Sequence, residues 1–138
     1  MPRLLAVAVA CHGLITLMIG AGAVTQPDAP AVAVPSWLSW WPGPFGRSWL
    51  VDGLHLGTAG SVICGLLWCA AGAGLVAAGL GLAGVPLLAD LPPVLLPVAA
   101  GIGLVALVAA FHPFYLLAVA IDVALVLAAP SLVEAVQA

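Results

Sequence analysis

The chain contains no lysine, and Arg3 and Arg47 are its only strongly basic residues. A nucleic-acid surface needs clusters of Lys and Arg to neutralise phosphates, so that class of partner is excluded. Charge of either sign is scarce, at 5% of 138 residues, whereas a soluble domain carries about 25% to dress its surface for water. The net charge of −3 comes from scattered acids and points to no particular partner. Catalytic signatures are missing too. No G-x-S-x-G, H-E-x-x-H or P-loop pattern occurs, and the glycine-rich tract Gly72 to Gly84 lacks the Lys-Ser/Thr that would make it a phosphate cradle. The three cysteines, Cys11, Cys64 and Cys69, lack the short spacing of a zinc or redox motif. Cys64 and Cys69 would point about 140° apart on one helix, so they read as small packing residues.

What the chain has instead is hydrocarbon. Hydrophobic residues make up 65% of it and the mean hydropathy is +1.32. Four apolar runs, at about 4–24, 54–84, 93–111 and 114–129, are each consistent with a helix crossing a bilayer, given ~20 residues per span. Helices are required because each backbone N–H and C=O needs an internal partner in lipid. The alternating polarity of outer-membrane strands is absent from these runs. The expectation is an all-α, transmembrane four-helix bundle forming a single domain over 1–138. Arg3 beside the first run gives a rival reading, a secretory signal peptide with Ala21-Gly22-Ala23 as its cleavage site. The apolar run exceeds the usual ~7–15 residues of such a leader and His12 interrupts it, which favours a span.

Residues 25–53 are rich in proline and glycine and read as a long loop between the first and second spans. Four of the five tryptophans, Trp37, Trp40, Trp41 and Trp49, fall in it. An indole has an apolar body and one N–H, so it favours the headgroup boundary, and the loop is expected to lie along the membrane surface. Ser36 is placed to cap a turn that sets Trp37, Trp40 and Trp41 on one face. A protein-binding patch is the alternative. Pro97 falls in or near the first turn of the third span, and the fourth span stops at Pro130, with Ser131 and Glu134 at capping-box spacing beyond it.

Reading every fourth residue of the second run gives Gly57, Ser61, Gly65, Cys69, Ala73, Ala77 and Gly81, all small. Such a ridge lets another helix approach closely, and it predicts packing against a second copy or a larger membrane partner. Two ionisable side chains lie well inside spans, His12 and Asp122. Each sits about 10–12 Å from the same end of its helix, so they meet if the first and fourth spans are neighbours. Thr16, one turn above His12, is a third candidate member. An intramembrane aspartate costs ~2.5–3.5 kcal/mol on insertion scales and marks either a register-fixing pair or a proton- or ligand-handling site. Asp52, His55 and His112 gather near helix ends at the opposite face, a weak candidate set for zinc or copper. No cofactor is predicted.

Cys11-His12-Gly13-Leu14-Ile15-Thr16-Leu17 resembles the H-G-L-I-H-L element that opens small four-span bacterial membrane proteins, loosely similar to DoxX-like proteins. Leu66-Leu67-Trp68 and Ala120-Ile121-Asp122 agree with that pattern. Thr16 stands where the pattern has its second histidine. The resemblance implies the four-span fold rather than an activity. The expectation is a multi-pass protein of an inner or plasma membrane, its N-terminus cytoplasmic by the positive-inside rule from Arg3. Its function is read as a non-enzymatic structural or accessory subunit, with a small transporter or redox component using His12 and Asp122 as the competitor, and a lipid-modifying enzyme third.

Overall fold

The computed structural model describes the backbone of residues 2–137 and the side chains of residues 3–131. It is all helical: α1 (Pro2–Thr25), α2 (Trp49–Gly53), α3 (Gly57–Leu82), α4 (Pro92–Ala109) and α5 (Leu116–Gln137), with single 3₁₀ turns at Ser36–Leu38, Pro86–Leu88 and Pro113–Tyr115. Four segments are long and apolar enough to cross a membrane, Arg3–Thr25, Gly57–Leu82, Pro92–Ala109 and Pro113–Ser131. The chain is a multi-pass membrane protein built as a four-helix bundle.

The span boundaries differ from those of the sequence reading in three places. The second span is one helix, α3, but it begins at Gly57 and not at 54, after a turn at His55 and Gly57, which have φ of 53° and 59°. Residues 49–53, expected as loop, make the separate short helix α2. Hydropathy does not register a left-handed turn, so the start of the helix is invisible in the apolar run. Pro97 lies inside α4 rather than in its first turn, because the helix already begins at Pro92. The fourth span does not stop at Pro130 but carries it within α5. In a bundle, neighbouring groups tolerate the one backbone bond that a proline removes. Ser131 donates its hydroxyl back to the Ala128 carbonyl at 3.0 Å and so does not open a new helix. The Glu134 half of the expected capping box lies outside the described side chains.

α3 runs through the middle, with α1 on one side and α4 on the other; α5 packs on α4, and α1 and α5 make little direct contact. The α1–α3 seam is held by glycine. A Cβ on Gly13 would stand 2.6 Å from the Val76 nitrogen and 2.8 Å from the Gly72 carbonyl; one on Gly20 would stand 2.7 Å from the Gly65 carbonyl. Gly79 would strike Ala10 at 2.7–2.9 Å. Gly13 and Gly20 therefore face Gly72 and Gly65 across an antiparallel pair, and the small residues recur every seven positions on both helices. A seven-residue step drifts only about 20° around a helix, so the row stays on the seam. Lipid supplies no hydrophobic drive between helices, and close backbone approach maximises dispersion contact instead.

The four-residue ridge behaves differently. A step of four advances about 40° per residue pair, so the row winds about 240° around α3. Gly65 meets α1; Gly81 faces Leu88 and Pro92 at the next turn; Ala73 is exposed; Gly57 is the left-handed residue that opens the helix. Ser61, Cys69 and Ala77 are half-buried. The ridge is not one docking face, and most of its buried members are used inside the bundle.

Two apolar clusters fill the interior. One, towards the N-terminal end of α1, joins Ala6, Val9, Leu75, Leu96 and Leu125. The other, towards the tryptophan edge, joins Val51, Trp68, Leu107 and Tyr115.

Candidate functional site

His12 and Asp122 lie at the junction of these clusters. His12 Nε2 and Asp122 Oδ1 are 2.8 Å apart, one hydrogen bond joining α1 to α5. Asp122 is 2% exposed. Its carboxylate fits because α4 presents Gly103: a Cβ there would stand 2.6 Å from Oδ2 and 3.7 Å from the Ala71 Cβ of α3. α1 supplies the histidine, α5 the carboxyl group and α4 the glycine that makes room for it. Gly103 was not singled out in the sequence, where it is one glycine among sixteen. A proton shared on the Nε2–Oδ1 line satisfies both atoms whether the pair is written ionised or neutral, and satisfying both is what makes burial tolerable. Thr16 is buried but outside the pair, since its hydroxyl donates to the His12 backbone carbonyl at 2.9 Å.

The tryptophan loop is more tightly built than a surface anchor. Trp37 and Trp40 are 68% and 67% exposed. Trp41 does not share their face: it turns inward against Phe111, ring centroids 5.3 Å apart, with its Nε1 buried. Ser36 does not cap the turn. The turn begins after Pro35 without a side-chain cap, and Ser39 donates to the Ser36 carbonyl at 2.7 Å. The loop is pinned by Phe45, whose ring lies 4.8–5.5 Å from those of His112, Phe114 and Tyr115.

Trp49 and Ser48 have a further task. The last carbonyls of a helix lack partners within it. Trp49 Nε1 donates to Val108 O at 2.8 Å and Ser48 Oγ donates to Ala109 O at 2.6 Å, so α2 closes the end of α4. The same Ser48 oxygen accepts from Val51 N at 3.2 Å, capping α2. Ser48→Ala removes both bonds and is expected to lower stability by about 1–2 kcal/mol, measured by thermal unfolding in detergent.

Asp52, His55 and His112 do not converge. Asp52 pairs with Arg47 at 2.6 Å, His55 is exposed on its left-handed turn, and His112 is fully buried with Nδ1 accepting from Phe114 N at 3.1 Å. Among the described residues no three His, Cys, Asp or Glu side chains group in a way that would hold a metal ion.

Comparison with family models, with curated proteins and with solved structures returns no match.

Proposed function

We propose that this chain is a non-enzymatic structural subunit of a membrane, assembling with further copies of itself, and that His12 and Asp122 fix the register of its first and last spans. One observation carries the reading: His12 and Asp122, well inside their spans, are bonded to each other, and Gly103 makes room for the carboxyl group. Neither the cavity under the tryptophan loop nor the shallow groove on α4 is lined by either residue. A transporter or redox carrier using this pair needs a path for its cargo to reach it, so the competing reading draws less support.

The assembly face in this reading is on α4, since the small residues of α3 are largely engaged within the bundle. Val94, Val98, Gly101, Val105 and Val108 alternate steps of four and three, the spacing that keeps side chains on one seam between paired helices. The four valines are 52–66% exposed, and a Cβ on Gly101 meets nothing within 4 Å. A stiff β-branched stripe interrupted by one glycine suits close approach by the same stripe of a second copy. Under this reading the chain belongs with the small four-span proteins of the inner or plasma membrane that its first span resembles, with Arg3 on the cytoplasmic side.

Native mass spectrometry in mild detergent tests the proposal. The expected result is an assembly of more than one 13.7 kDa chain, reduced to single chains by Gly101→Leu and unaffected by the paired change His12→Leu with Asp122→Leu. Single chains in the unaltered protein, or an assembly indifferent to Gly101→Leu, overturns it.

A further inference from the structure

A cavity of about 380 Å³ lies under the tryptophan loop, between the C-terminal part of α1, α3 and the 3₁₀ turn Pro113–Tyr115. It falls within the ~300–1,000 Å³ of small-molecule sites. Cys64 and Trp68 of α3 are among the residues that line it, and loop residues Val32 and Phe45 line it from the other side. The loop is fixed in place: Val32 N donates to Phe45 O at 2.9 Å, and Thr58 of α3 donates to Asp28 at 3.0 Å.

The walls of the cavity divide by chemistry. Gln26, Arg47, Ser48 and Ser61 supply its polar groups. Met18 and Phe114, each within a span, supply an apolar margin and are 67% and 55% exposed. Arg47 has five N–H donors, of which the bond to Asp52 Oδ1 engages Nη2. A site with the guanidinium of Arg47, its charge shared with Asp52, and an amide at one end and an apolar margin at the other matches an amphiphilic molecule with the same division.

We propose that this cavity binds a membrane phospholipid, its phosphate beside Arg47 and Gln26 and one acyl chain leaving between Met18 and Phe114. The volume accommodates the headgroup and the first part of a chain, and the remainder stays in the bilayer. The site is independent of the assembly face on α4, so either proposal can fail alone.

Gly22 provides the test. It lines the cavity, and a Cβ there meets nothing within 4 Å, so Gly22→Leu fills the space without crowding the helices. Purified protein is titrated with phosphatidylglycerol in detergent and bound lipid is counted by native mass spectrometry. One phosphatidylglycerol per chain is expected. Gly22→Leu should abolish this adduct while the melting temperature holds or rises, and Arg47→Gln should weaken it about tenfold, the worth of one charge-assisted hydrogen bond. Ser61→Leu, filling the same space from α3, should repeat the loss. No adduct on the unaltered protein, or an adduct equally strong in Gly22→Leu and Ser61→Leu, overturns the proposal.

Discussion

Gly72→Leu is expected to separate α1 from α3 and leave little folded protein. A Cβ at this position would stand 2.7 Å from both the Gly13 carbonyl oxygen and the Leu17 Cα, with the Leu17 nitrogen nearer still. These are backbone atoms of a helix, and they cannot swing aside as a flexible side chain would. Overpacking a well-filled interior costs about 1–3 kcal/mol where side chains can adjust. Here the whole α1–α3 seam must open, so the loss should exceed the upper end of that range. Size-exclusion chromatography of detergent extracts should show aggregate in place of the bundle. Gly101→Leu is the matched control, the same substitution in a span where nothing lies within 4 Å, and its fold should persist. Equal behaviour of the two variants would show that the seven-residue glycine rows do not hold the helices.

The second large effect concerns the buried pair. Asp122→Ala leaves the His12 ring without its partner and empties the space that Gly103 vacates for the carboxyl group. Leaving a largely buried polar group without its partner costs about 1–3 kcal/mol, and more, about 3–5 kcal/mol, where the pair is charged. Asp122→Asn keeps the shape and can still accept from His12, so its cost should stay within ~1.7 kcal/mol, the upper end for a hydrogen bond between transmembrane helices. The paired change to leucine should cost less than Asp122→Ala, since no polar group is left stranded. Unfolding in mixed micelles orders the series. A cost for Asp122→Asn as large as that for Asp122→Ala would mean that the carboxylate does something a register lock does not need.

The four spans were legible because apolar length is a one-dimensional property. The depth of His12 and Asp122 was legible for the same reason: rise per residue converts sequence position into height. Azimuth was harder. The four-residue ridge looked continuous in the sequence yet winds around α3, while Gly65, Gly72 and Gly79 stay on one line because seven residues nearly complete two turns. Gly103 could not be picked out, since its importance lies in what Asp122 places opposite it. The turn at His55 and Gly57 that sets the start of the second span was hidden by the apolar residues around it. Ser48 gave a local signal, a serine before a short helix, but its second bond, to the Ala109 carbonyl, joins segments far apart in sequence. The tryptophan cluster carried two meanings at once: Trp37 and Trp40 are exposed, whereas Trp41 and Trp49 hold the loop against the ends of the spans.

In the proposed function His12 and Asp122 serve each other and no cargo. Proton entry into vesicles loaded with a pH-sensitive dye and bearing the purified protein tests it most directly. Under an imposed pH gradient the account predicts acidification no faster than in protein-free vesicles of the same lipid. Entry that exceeds that background and disappears in Asp122→Asn, with the bundle still folded, would contradict it.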